Sequence, residues 1–124
     1  MITFEILSRA LFSIFFVVAG ITHFTHASIY DSLVPTYLPN PRFFHLISGF
    51  FEIFLGLSLL TRWKSTGAIF LALFLTIVYL GNLHMWINDI PFLGNNLSTS
   101  AHVLRLIAQI LMILYALYIW RTFK

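Results

Sequence analysis

Glu52 is flanked by Phe50, Phe51, Ile53, Phe54 and Leu55, so a carboxyl group stands in the middle of a strongly apolar run. A carboxyl in such a place can work as a general acid or base, pair with a cation, or hydrogen-bond a bound molecule. His45, Gly49, Glu52 and Gly56 follow i, i+4, i+7, i+11 and share one face of a helix. Ser98, His102, Arg105, Gln109, Met112 and Ala116 make a second stripe of this kind, and Arg9, Phe16 and His23 fall at intervals of seven, with Gly20 close to their line. Asn82 and His84 belong to a third segment, but two positions on an ideal helix are about 200° apart. Either one of them points away from the centre or the helix loosens near Gly81. Imidazole, carboxyl, carboxamide and guanidinium groups together suit hydrogen bonding and proton exchange with a polar head group. Neither His-x-x-x-His nor Glu-x-x-His occurs, so no metal or haem site is expected. With zero Cys there is no disulfide, thiolate nucleophile or iron–sulfur ligand set.

The elements that must position these groups are dictated by composition. Of the 124 residues, 60% are apolar and 9% are charged. A soluble domain of this length carries about a quarter charged residues. A net charge of +3 includes no dense basic patch, so nucleic acid is not an expected partner. The solvent that fits is a lipid bilayer. A hydrocarbon core of about 30 Å takes roughly 20 helical residues, and four segments are expected to supply them, at about 4–24, 43–61, 66–86 and 101–121. The long apolar runs lack the alternation of a transmembrane barrel. The expected fold is an all-α membrane protein, one domain over 1–124, folded as an up-down bundle of four transmembrane helices. The first segment reads as a span rather than a cleaved signal, since Thr22-His23-Phe24-Thr25-His26 is a poor small-residue cleavage site.

Loop charges orient the bundle. Arg9, Arg62, Lys64, Arg121 and Lys124 lie near the termini and the second loop, against Arg42 and Arg105 near the first and third. That bias places both termini on the cytoplasmic side. Residues 26–42 contain Pro35, Pro39 and Pro41, too many for a continuous helix, and are expected to cap the outer end. Ser98, Thr99 or Ser100 can cap the fourth helix.

Depth completes the reading. All five His and Asn82 and Arg105 fall toward the outer end, while Glu52 lies near mid-membrane. His23, Glu52, Asn82, His84 and Arg105 are therefore expected to line one outer-facing pocket for a quinone-like or other amphiphilic molecule. Glu52 is expected to pair with Arg9, with Arg105 the second choice, because an unpaired carboxylate in hydrocarbon is costly. The plainer readings are that both arginines snorkel to headgroups, the His residues are interfacial, and the glycines are close-packing points.

Ala19-Gly20-Ile21-Thr22-His23-Phe24, Val34-Pro35-Thr36-Tyr37-Leu38-Pro39, Ser48-Gly49 through Glu52 to Leu55-Gly56 and Leu59-Leu60, Gly81-Asn82-Leu83-His84-Met85 and Leu104-Arg105-Leu106-Ile107-Ala108-Gln109 follow one another along most of the chain. As an ordered set they resemble the DoxX-like family of small four-helix integral membrane proteins of bacteria. The resemblance implies the bacterial cytoplasmic (inner) membrane and an accessory or ligand-binding role in a membrane redox system. It also implies a membrane or periplasmic oxidoreductase as partner, with self-association open. The alternatives are a stand-alone membrane enzyme using Glu52 or a His as acid/base, and a structural assembly factor.

Overall fold

The structure is a computed structural model describing residues 3–92 and 94–124; Met1, Ile2 and Leu93, part of the expected single domain, lie outside the described residues. Its elements are α1 (Phe4–Thr25), α2 (Ala27–Asp31), α3 (Pro41–Ser58), α4 (Lys64–Ile87) and α5 (Thr99–Thr122). The described residues are all-α apart from one isolated bridge, in which Phe92 and Asn95 exchange backbone hydrogen bonds around Gly94, whose φ of 82° suits glycine.

The helix starts follow from local chemistry. Thr3 caps α1 by accepting from the Ile6 N–H at 3.2 Å, and Ser98 caps α5 by accepting from Ala101 at 3.2 Å. Pro41 occupies the first turn of α3, where its missing N–H costs nothing. Asn40 before it adopts a left-handed conformation that Asn tolerates, and its carbonyl accepts from Phe43 and Phe44. The second long helix thus starts two residues before the expected boundary and ends three residues short of it, in a tight turn over 59–63.

Three helices, α1, α4 and α5, are long and apolar enough to cross a membrane. At 1.5 Å per residue the 22 residues of α1 reach about 33 Å and the 24 of α4 and α5 about 36 Å. The 18 residues of α3 reach about 27 Å and include Arg42, His45 and Glu52. Three of the four expected spans are thus long and apolar enough, and the polar residues that give α3 its chemistry set it apart from them.

Packing proceeds through pairs. α1 lies tightly along α3, α4 along α5, and α3 joins the pairs by touching α4. The first pair meets on small residues, Ser13 and Gly20 against Gly49 and Gly56, and the Ser13 hydroxyl donates to the Gly56 carbonyl at 2.6 Å. In the second pair Gln109 Nε2 donates to the Leu75 carbonyl at 2.6 Å and the Ser65 hydroxyl to the Trp120 carbonyl at 2.8 Å. The backbones of α1 and α5 stay apart, linked toward the termini by the Ser8 and Tyr115 hydroxyls at 2.8 Å and by Phe12 edge-on to Tyr115. That tail end also gathers Arg9 and Lys64 over the Phe123 ring. The buried core of Phe16, Leu55, Leu59, Leu71, Leu75 and Ile119 fills the tail half. Toward the other end, beneath α2 and the proline loop, the pairs part. Outward, Phe54 (60%), Leu73 (55%) and Leu111 (60%) are among many large apolar side chains left exposed, a surface suited to acyl chains rather than water.

Candidate functional site

The space between the helix pairs is a cavity of about 610 Å³. His23 of α1, Glu52 of α3, Asn82 of α4 and Arg105 of α5 all line it, roofed by Tyr30 and the 33–38 segment and walled by apolar groups such as Phe15, Phe16, Leu75 and Met112. α3 and α5 do not pack together, so Glu52 and Arg105 stand on different walls.

On the α1–α3 wall the His23 Nε2 lies 3.3 Å from Glu52 Oε2, and both side chains are nearly buried, 11% and 14% exposed. His23 is held from three sides. Its Cβ abuts Gly49, its ring stacks on Tyr30 at 4.0 Å, and His45 stands 5.5 Å away, centroid to centroid. The Tyr30 hydroxyl donates to Thr22 Oγ1 at 2.7 Å, whose own proton goes to the Ala19 carbonyl. On the opposite wall an Arg105 N–H donates to Asn82 Oδ1, and the guanidinium lies 5.7 Å from the Phe92 ring centroid. Among the described residues no carboxylate lies within ion-pair distance of Arg105.

Two sequence expectations are corrected. His84 does not line the cavity; its Nδ1 meets the Asn88 carboxamide at 3.0 Å. The helix stays regular past Gly81, so the two-residue offset that turns Asn82 inward turns His84 away. Glu52 pairs with neither Arg9 nor Arg105. Arg9 pairs with Glu5, one turn back on its own helix, and donates Nε–H to the Leu59 carbonyl at 3.1 Å. Leu59 is seven residues beyond Glu52, about 10 Å along α3, too far for the guanidinium to serve both.

Sequence reasoning missed a cluster at the cap end. Asp31 accepts two hydrogen bonds from Arg42, at 2.9 and 2.7 Å, and its Oδ1 meets His45 Nε2 at 2.7 Å. The Arg42 guanidinium holds the Asp31 carboxyl down to about 2, His45 helping and partial burial opposing. The one available signal was His45, on the same stripe as Glu52. His102 is buried and stacked on Trp86 at 5.4 Å, and His26 is exposed beside Thr25. Among the described residues no group of three or more His, Asp or Glu could hold a metal ion.

The sequence profile of one family, described as a domain of unknown function (DUF8561), matches residues 12–120, and the chain belongs to that family. No curated protein and no solved structure matches it.

Proposed function

We propose that this member of the DUF8561 family is an integral membrane protein that binds a lipid-soluble, quinone-like amphiphile between its helix pairs. One observation carries the reading: an apolar-walled cavity of about 610 Å³ presents His23 and Glu52 from one wall and Asn82 and Arg105 from another. Sites for small ligands have this volume, this apolar lining and few polar groups. Arg105, with no carboxylate partner among the described residues, suits a carbonyl or anionic oxygen of the head group. Glu52, beside His23 Nε2 at 3.3 Å, presents its carboxyl to the cavity and suits a second polar atom across the ring. An apolar tail would lie against Phe15, Phe16, Leu75 and Met112.

In this reading α3 is the fourth span. Phe43, Ile47, Phe50, Phe54 and Leu57 form an exposed stripe at i, i+4, i+7, i+11, i+14, opposite His45 and Glu52, which gives α3 a lipid face despite its polar residues. Loop charges put both termini in the cytoplasm. The resemblance to DoxX-like proteins supports an accessory subunit of a redox system in the bacterial cytoplasmic membrane, with an oxidoreductase partner. The Glu52 carboxyl beside His23 favours a second reading, acid/base catalysis by the chain alone, which turnover by the isolated protein would reveal. The primary test is solvent extraction of the purified protein followed by mass identification. One lipid-soluble species at near-equal molar amount is expected. Bulk membrane lipids in their ordinary proportions, with no enriched species, would overturn the reading.

A further inference from the structure

The two histidines of the α1–α3 wall are each engaged through Nε2, one toward the cavity and one toward the surface. His23 Nε2 faces Glu52 at 3.3 Å and His45 Nε2 meets Asp31 at 2.7 Å. Their remaining nitrogens, His23 Nδ1 and His45 Nδ1, are buried and make no hydrogen bond, although buried polar atoms are nearly always satisfied. The two rings are 5.5 Å apart, tilted by 39°, a separation that a direct contact after small ring motion, or one intervening water, can close.

We propose that Asp31, His45, His23 and Glu52 form a proton relay connecting the cavity to the cap-end surface. Asp31, with its side chain 34% exposed, is the surface terminus, and Glu52 is the cavity terminus. A proton taken up by Glu52 from the cavity passes to His23 Nε2 as His23 gives its Nδ1 proton to His45 Nδ1. His45 in turn gives its Nε2 proton to the Asp31 carboxylate, which releases it at the surface. One proton enters, one arrives, and both rings end neutral in the other tautomer; ring rotation or return of a proton resets them. The surrounding groups are suited to this. Arg42 holds Asp31 as a carboxylate acceptor, Tyr30 keeps its hydroxyl proton on Thr22 while its ring fixes His23, and Asn82 and Arg105 face the cavity from α4 and α5. The inference deepens the ligand-binding reading and rests on it for its purpose, since a head group beside Glu52 could then exchange protons with one side of the membrane only.

The test reads Glu52 itself. In ligand-free protein reconstituted in phosphatidylcholine vesicles, the infrared carboxyl band that disappears in Glu52→Gln reports loss of the Glu52 proton after an upward pH jump. His45→Gln keeps a side-chain donor for Asp31 but cannot pass a proton through. It should slow loss of the Glu52 proton roughly tenfold or more with the titration midpoint of the band unmoved, and His23→Gln should slow it as much. An unslowed rate in both folded variants, or slowing in His45→Gln only together with a shifted midpoint, would overturn the relay. If one variant fails to fold by circular dichroism, the other carries the test. Extraction of a bound molecule is a separate measurement, so failure of the relay and failure of the binding site are distinguishable.

Discussion

Gly49 lies directly against His23: a methyl group added at Gly49 would sit 2.6 Å from the His23 Cβ and 2.9 Å from the Gly20 carbonyl oxygen. The closest approach of α1 and α3 and the placement of a cavity histidine are therefore one feature. Gly49→Ala should force the helices apart and cost about 1–3 kcal/mol, the usual penalty of overpacking. Thermal unfolding in detergent measures it. Phe54→Ala, on the exposed stripe, should lower the midpoint much less, and equal losses would deny the tight crossing.

Arg9 and Glu5 are one helical turn apart and share the tail end with Phe123. A double-mutant cycle between Arg9→Met and Glu5→Gln should give a small coupling, about 0.3–0.5 kcal/mol, because the pair is partly solvated. The cycle between Arg9→Met and Glu52→Gln should give none. A large Arg9–Glu52 coupling would mean that the guanidinium climbs the bundle after all.

These two cases show what the sequence could and could not disclose. Stripes at helical spacing are geometric facts, and the structure brings His23, Glu52, Asn82 and Arg105 around one cavity from three such stripes and a single asparagine. His84 is two residues from Asn82, and periodicity alone left open which of them turned inward. The Arg9 partner is legible as an i, i+4 carboxylate, but the cost of a lone buried carboxylate favours Glu52 on sequence grounds. The Asp31–Arg42–His45 cluster was beyond pattern reading. Three prolines set the path that returns Arg42 and His45 to Asp31, and a proline loop has no period to read.

That cluster has an acid limit. Asp31 is held at about 2, chiefly by hydrogen bonds from Arg42, against an ordinary value of about 3.9. A carboxyl with a lower value in the folded state favours folding only when ionised. Its contribution is complete above about pH 4 and disappears as the pH falls through about 2. Stability measured across that window should decline in the native chain, and Asp31→Asn should remove part of the decline while lowering stability at neutral pH. An unchanged acid limb would mean that the clamp adds nothing.

The membrane arrangement has a direct check because the chain contains no cysteine. Single cysteines at Lys124 and at Asn95, both exposed, should react with an impermeant maleimide from opposite sides of sealed cells, with Asn95 labelled from outside. Labelling of both from one side would exclude the four-span reading.

Arg105 provides the sharpest test of the cavity. Its neighbours are a carboxamide and an aromatic ring rather than a carboxylate. A guanidinium in this setting is costly for stability alone, and an apolar Leu would avoid burying the charge. If the residue is kept for a ligand oxygen, Arg105→Leu should raise or preserve the unfolding temperature while lowering occupancy of the extracted species. A hydrogen bond from a charged donor contributes about 1.5–3 kcal/mol, which corresponds to roughly a tenfold to hundredfold loss of affinity. Arg105→Lys keeps the charge but not the forked donors, so its occupancy should fall between the two. Undiminished occupancy in Arg105→Leu would remove this wall from the binding site, and a large loss of stability with no change in bound ligand would make Arg105 a structural brace for Asn82.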